Sequence, residues 1–438
     1  MPISSCSPAA SVVLRRFPLR TSSGWRKCGA NLMRRGKVNP EAVAPMLVKK
    51  VVIDKANRLY QLPPDIQSFV PAEPRRSLVR KTEVLDLASF TWPAGDERDL
   101  LEGQAGLQPA SRERLNNLKE ELAGWFHTYH GAKIEPAKEI FIGGSISSLM
   151  FTIALAFIDN GDIAFVPELG IPLYRRVTTA CGGEAVSYSL SAKNDWLPDF
   201  ERVHTRLGRV AGILFLNSPH NPTGGELSEK NMADLVWLAG RENIIVVNDA
   251  AYAAISGRKQ VSLMSIIGGN KIGVEVYSFA YHFGLLAMPF GFVVGNREII
   301  NGVKLASRLV PSFVPDSYVD LALRGIRQFP NDLLKETRAA MACNSAEGAK
   351  LLNILGLEKA GFDTVPFIWA KIERRRQAAT ATALLYRRSR LLAVPGTAFG
   401  DTGEGFLRFS LTVPPASYIA AVQRLRRKRK RAKLGVEK

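Results

Sequence analysis

Six short apolar runs rich in β-branched residues, at 139–142, 162–167, 212–216, 244–248, 274–279 and 290–294, alternate with helical stretches such as 147–158 and 229–241. Strands that stay apolar along their length are buried on both faces, and the helices between them supply the cover. The pattern predicts an α/β fold, a mostly parallel mixed sheet sandwiched by helices. In such sheets ligands bind outside the carboxyl ends of the strands, so the residues just after each run are where chemistry is expected. After Gly295 the pattern changes. Residues 298–308, 318–327 and 331–355 have helical periodicity, and 367–372 and 406–411 read as strands, which predicts a smaller α+β domain built from both chain ends. The expected boundaries are a basic, disordered leader over 1–45, a segment over 46–90 that crosses to join the small domain, the large domain over 91–300, the small domain over 301–423, and a basic tail over 424–438.

Composition narrows the function classes. A chain of 438 residues with 46% hydrophobic content suffices for one large and one smaller domain. No apolar run reaches the roughly 18 residues of a membrane span. The longest, 149–158, contains Thr152 and reads as a buried helix. The formal charge of +19 is concentrated at the ends. Residues 1–40 hold eight Lys/Arg and no acid, residues 424–438 hold nine Lys/Arg and one Glu, and subtracting both ends leaves +3 for the body. Tails of this kind read as solvated segments or as a weak nucleic-acid or anionic-membrane contact that salt would abolish, and without aromatics interleaved between Arg424 and Lys433 they predict neither a specific nucleic-acid reader nor a membrane protein. The leader, rich in Arg and Ser and free of acid, has the composition of an organellar transit peptide. The expected location is the cytoplasm, or an organelle if the leader directs import. Cys6, Cys28, Cys181 and Cys343 lack CxxC or metal spacing, predict no metal site and fit a reducing compartment.

Three segments at predicted strand ends offer reactive or ligand-binding groups. Ile142-Gly143-Gly144-Ser145-Ile146-Ser147 joins a strand to a helix start, whose free N–H groups suit a phosphate, and it reads equally as a plain turn. Asn217-Ser218-Pro219-His220-Asn221-Pro222-Thr223-Gly224 follows the 212–216 run; its prolines stiffen the loop and Asn221 presents an amide. Asp249 closes the next run, where a carboxylate can pair with a cationic ring nitrogen or cap the following segment.

In order along the chain, Asn221-Pro222-Thr223-Gly224, Asp249-Ala250-Ala251-Tyr252, Ser278-Phe279 and Gly291-Phe292-Val293-Val294-Gly295 resemble the class I/II aminotransferases, pyridoxal-phosphate (PLP) enzymes of fold type I. The resemblance spans roughly 55–423 and includes 162–174, 395–400 and 403–411; Asn57-Arg58-Leu59 with Pro63-Pro64 is most similar to the LL-diaminopimelate and related alanine/aspartate branch. It implies that Asp249 pairs with the protonated pyridine nitrogen and that Asn221 and Tyr252 hydrogen-bond the 3′-oxygen. It also implies that the N–H groups of Ser145 and Ile146, with the Ser278 hydroxyl, hold the phosphate. Arg408 would clamp the carboxylate of an amino or keto acid as a bidentate fork.

The departures from that pattern are chemical. Where the family carries the lysine that holds PLP as an imine, the resemblance puts Tyr281, in Ala280-Tyr281-His282-Phe283, and no lysine occurs between Lys271 and Lys304. A phenol cannot form that imine. The phosphate-binding arginine eight residues on is Pro289, and losing a charge-assisted hydrogen bond costs about 1.5–3 kcal/mol. The family's aromatic that stacks on the ring is replaced by Ile171, the glycine beside the substrate is replaced near Phe90, and the tyrosine that the family's partner subunit lends to the phosphate has no counterpart before Gly106. The leading expectation is therefore a pseudoenzyme: a degenerate binding or regulatory homologue, homodimeric or in a mixed dimer with an active relative, that takes PLP or a PLP-like anion non-covalently. One alternative is altered PLP or pyridoxamine-phosphate chemistry with His282 as the base. Another is an ordinary amino-acid transaminase whose amine comes from elsewhere, such as Lys271.

Overall fold

The computed structural model describes residues 84–88, 108–199, 211–285, 289–310, 313–372 and 377–433, all within the compact unit Gln61–Lys438. Along the chain, β1 (Leu85–Asp86) precedes α1 (Arg112–His130), and β2 (Ile140–Gly143) leads into α2 (Ile146–Phe157). Then come β3 (Ile163–Pro167), α3 (Leu173–Ala180), β4 (Glu184–Tyr188), β5 (Ala211–Asn217), α4 (Glu229–Glu242), β6 (Ile245–Asp249), β7 (Gly273–Ser278), the short α5 (Phe279–Phe283) and β8 (Gly291–Gly295). Strands β2 to β8 form one sheet in the order β2-β8-β7-β6-β5-β3-β4. Every pairing is parallel except those of β8, which runs antiparallel to both β2 and β7.

Side-chain alternation splits the sheet's cover into two cores. Val247, Val274, Val276 and Val293 face one side and pack with Leu149, Ile153 and Ile300. Val246, Tyr277, Phe292 and Val294 face the other and pack with Leu122, Trp125 and Phe126 of α1. All six expected strands are present, with ends shifted by at most one residue. The edge strand β4 was not expected: it opens on exposed Glu184 and is only half-buried until Tyr188, so it lacks an apolar run.

Beyond the sheet, α6 (Arg297–Ala306), α7 (Asp316–Arg327) and α8 (Asp332–Leu355) lead to β9 (Leu357–Lys359), β10 (Phe367–Ile372), α9 (Ala378–Ser389), β11 (Leu391–Leu392), β12 (Val394–Pro395), β13 (Phe406–Ser410) and α10 (Pro415–Lys433). Strands β12-β13-β10-β9 make an antiparallel sheet with its own apolar core. β1 pairs in parallel with β11, and the Leu87 carbonyl accepts from Ser410 N–H at 2.7 Å, so chain from before the large sheet is built into this smaller domain. The tail differs from expectation. Residues 424–433 are the helical end of α10, with Arg426, Arg427 and Lys428 exposed. Leu425 is buried, and Arg424 and Lys428 donate to the carbonyls of Ser389 and Arg388 at the carboxyl end of α9, at 3.3 and 2.6 Å, where a helix presents unsatisfied acceptors. The leader over 1–45 lies outside the described residues.

Candidate active site

Strands β5, β6 and β7 end side by side, Asn217 pairing with Asp249 and Asp249 with Val276. The loop after β5 is tied down by its own side chains. Asn217 accepts from Asn221 N–H at 2.8 Å and donates to the Asp249 carbonyl at 2.9 Å. His220 Nε2 donates to the Leu169 carbonyl at 2.8 Å, which leaves Nδ1 to accept from the Thr223 hydroxyl at 2.7 Å. Burial pushes this imidazole down to about 4, so it stays neutral in that role. The fixed loop aims the Asn221 amide two ways: Nδ2 donates to the Tyr252 hydroxyl at 3.3 Å, and Oδ1 accepts from Arg408 Nη1 at 3.1 Å.

Asp249 is buried. Its Oδ2 accepts from the Tyr174 hydroxyl at 2.8 Å and its Oδ1 from Ala251 N–H at 3.1 Å. Burial lifts the carboxyl to about 6 against these two bonds, which favour the charged form. Arg408, on β13, is buried too. Its guanidinium lies over Phe367 at 4.1 Å and Phe399 at 4.7 Å, and its Nε has no hydrogen-bond partner. Burial lowers it to about 10, so it remains cationic at neutral pH. Among the described residues no carboxylate forms an ion pair with it. A buried cation held by one amide and two ring faces is under-compensated and suits an incoming anion.

The third wall is α5. Ser278 caps it, accepting from Tyr281 N–H at a long 3.5 Å, and Gly284 at φ 70° stops it, donating to the Phe279 carbonyl. The Tyr281 ring stacks on Tyr252, with centroids 5.2 Å apart and planes 24° from parallel. Its phenol is raised by burial and then by the charge of Asp249, and is lowered by Arg408, so it sits in the field of both. Ser145 caps α2 by accepting from Ser148 N–H at 3.3 Å, and Ile146 packs against the same cluster as Tyr252 and Tyr281. The first-turn amides of α2 precede the helix's own bonds. The structure thus brings Ser145, Ile146, Asn221, Asp249, Tyr252, Ser278, Tyr281 and Arg408 to one strand-end region.

His282 does not join them, which corrects its reading as a base. Its ring is buried against Trp125 at 4.8 Å, Tyr277 at 5.0 Å, Phe283 at 4.9 Å and Phe329 at 5.8 Å, and neither nitrogen has a hydrogen-bond partner. Neighbours on a helix diverge by about 100°, so Tyr281 facing the site sends His282 into the aromatic core. Nor do the lysines that flank this stretch of sequence bring an amine to the site. Lys271 precedes β7, at the end of the strand opposite Ser278, and Lys304 Nζ donates to the Ala137 carbonyl at 2.9 Å. Pro289 is exposed, Ile171 packs between the two large-domain cores, and Phe90 and Gly106 lie outside the described residues. Sequence reading gave no role to Tyr174, Asn217, Phe367 or Phe399. Of these, only Asn217, directly after an apolar run, sat where a strand-end search could have found it.

The model of the family described as aminotransferase class I and II matches residues 94–425. The chain belongs to that family. LL-diaminopimelate aminotransferase of Syntrophobacter fumaroxidans is similar to it at 28% identity over 389 residues, 85% of this chain and 98% of that protein. The protein of the same name from Halothermothrix orenii is 27% identical over 391 residues, again 85% and 98%. Among solved structures, an aminotransferase from Staphylococcus aureus superposes with a TM-score of 0.73 at 18% identity, covering 84% of this chain and 97% of its own. Substrate-bound BacF from Bacillus subtilis superposes with a TM-score of 0.71 at 24% identity, covering 79% and 90%. These likenesses show the aminotransferase fold, PLP fold type I, and the family implies PLP as its cofactor. Among the described residues no group of His, Cys, Asp or Glu could hold a metal ion, and no helix is long and apolar enough to cross a membrane.

Proposed function

We propose that this aminotransferase-family protein does not transaminate by the family's usual route and acts as a non-covalent binder of a PLP-type anion. The residues fit the group. Asp249, buried and partly compensated, suits a pyridinium N–H; Asn221 and Tyr252 suit the ring hydroxyl; the start of α2 and Ser278 suit the phosphate; and the unpartnered Arg408 Nε suits a carboxylate. When bound, PLP supplies an electron sink for bonds at an amino acid's α-carbon. The chain's own part is to orient: Asp249 holds charge at the ring nitrogen, Arg408 fixes the carboxylate, and Tyr281 with Tyr252 walls the site with apolar rings. No described side chain at the site offers a primary amine to take the α-proton or to bond the aldehyde carbon.

The observation that carries this reading is Tyr281, stacked on Tyr252 and within the field of Asp249 and Arg408. A partner subunit, either a second copy or an active relative, fits the family and would give such a binder a regulatory role. The names of the relatives favour a second reading, an active transaminase for an amino acid with a free α-carboxylate. One experiment separates them. Full-length protein is incubated with PLP, reduced with borohydride and examined by intact and peptide mass spectrometry. The binder reading predicts no stoichiometric pyridoxyl adduct at any single lysine; such an adduct, from this chain or a partner, would overturn it.

A further inference from the structure

The lack of an amine among the described residues of the site changes which ligand it prefers, an inference that rests on the reading above. We propose that Arg408 and Tyr281 make the site selective for a phosphopyridoxyl group already joined to an amino acid, as a secondary amine with a free α-carboxylate, over the cofactor alone.

Three observations converge on this. The first is the orientation of Arg408. Its guanidinium plane is fixed by Phe367 and Phe399, and Nη1 is engaged by Asn221 Oδ1, while Nε has no partner. A ligand carboxylate approaching along the Nε edge would make the parallel two-bond contact that an arginine favours. PLP alone carries no carboxylate and leaves this buried cation uncompensated.

The second is the double use of Asn221. One end of its amide is bonded to Tyr252, in the place expected to hold the ring hydroxyl, and the other to Arg408. Ring anchor and carboxylate clamp are therefore one hydrogen-bonded unit, itself pinned by Asn217 and His220. A molecule that spans both ends loses translational freedom once, whereas cofactor and amino acid arriving separately lose it twice.

The third is what Tyr281 does not do. In a site with a lysine at this place, any ligand nitrogen must displace a resident amine. Here the residue is a phenol that burial and Asp249 keep neutral, and its ring stands against Tyr252. The conjugate brings its own cationic nitrogen, which an aromatic pair and a phenol oxygen can receive. Among the described residues no lysine competes for that place.

The test is calorimetric titration of the full-length protein with four probes: N-phosphopyridoxyl-L-alanine, pyridoxamine phosphate, PLP and L-alanine. The conjugate should bind about tenfold or more tightly than pyridoxamine phosphate, the value of one charge-assisted contact. Arg408→Gln should erase that difference, read as the ratio of the two affinities within the variant, and Arg408→Lys, which keeps charge without the fork, should restore only part of it. Tyr281→Lys should reverse the selection, capturing PLP under borohydride and losing the advantage of the conjugate. Circular dichroism of each variant checks that it folds. Equal affinity for conjugate and pyridoxamine phosphate in the unaltered protein, a preference that survives Arg408→Gln, or no binding of any pyridoxyl probe would overturn the inference. None of these outcomes touches the absence of a covalent route, which the borohydride experiment tests separately.

Discussion

Asp249 and Tyr174 show how much a single buried oxygen can matter at this sheet edge. The carboxylate has two donors, and without the Tyr174 hydroxyl only the Ala251 N–H would remain. Burial already lifts Asp249 to about 6, and the Tyr174 bond opposes that lift. Tyr174→Phe should therefore raise the carboxyl further and destabilise the fold by about 1–3 kcal/mol where Asp249 is ionised. The loss should shrink at acid pH, where the group is protonated and the donor is worth less. Urea unfolding at pH 8 and pH 5 measures both. Tyr188→Phe is the comparison: it removes a neutral bond to the Phe215 carbonyl at 2.9 Å and should cost the same at either pH. Equal losses for Tyr174→Phe at the two pH values would mean that Asp249 does not carry charge in the folded protein. The same scale explains the error over His282. Sequence lists Tyr281 and His282 as neighbours, but only backbone direction decides which of the two faces the ligand, and a histidine attracts a catalytic reading that its aromatic surroundings here do not support.

Among the elements, the strands of the large sheet were legible because burial on both faces imposes continuous apolar runs, and the site residues were legible because they follow those runs. The reversed direction of β8 was not, since a strand buried on both sides has the same composition whichever way it points. Nor was α1, whose polar residues outnumber the four that are buried, Leu118, Leu122, Trp125 and Phe126. Glu275 was the least legible. A glutamate in the middle of an apolar strand reads as an exposed position, yet it is fully buried in β7. It accepts from Asn248 Nδ2 at 2.8 Å, Leu263 N–H at 2.9 Å, the Tyr277 hydroxyl at 2.9 Å and the Ser262 hydroxyl. One carboxylate thus fastens the turn at 262–265 to two adjacent strands. Glu275→Ala would leave several buried donors without acceptors and should cost at least about 3 kcal/mol. Glu275→Gln, which keeps the shape but turns one acceptor into a donor, should cost less. Denaturant midpoints for the two variants check this; an alanine variant within 1 kcal/mol of the parent would show that the turn is held by something else.

For the whole molecule, the buried titratable groups bear on the pH dependence of stability more directly than the formal net charge of +19. Three of the five histidines are held neutral in the fold. Burial lowers His130 and His220 to about 4 each, and lowers His282 well below its ordinary value. In the unfolded chain all three take up a proton near pH 6.5. A group with a depressed folded value of this kind adds stability that is complete above the unfolded value and disappears as pH falls toward the folded one. Asp249, raised to about 6, works in the opposite sense, gaining a proton in the folded state first, and Glu275 is raised in the same direction. Between pH 6 and pH 4 the unfolded chain binds three histidine protons against at most two carboxyl protons in the fold, so the histidines prevail. Stability should fall by about 3–5 kcal/mol from pH 7.5 to pH 5, at roughly 1.4 kcal/mol per pH unit per net proton. Urea midpoints across that range measure it. His282→Phe, which matches its aromatic surroundings and cannot take a proton, should flatten the slope by about one proton's worth. A stability that stays level or rises toward pH 5 would mean that these imidazoles reach solvent or an acid, and that the aromatic core behind α5 is not the closed support on which Tyr281 stands.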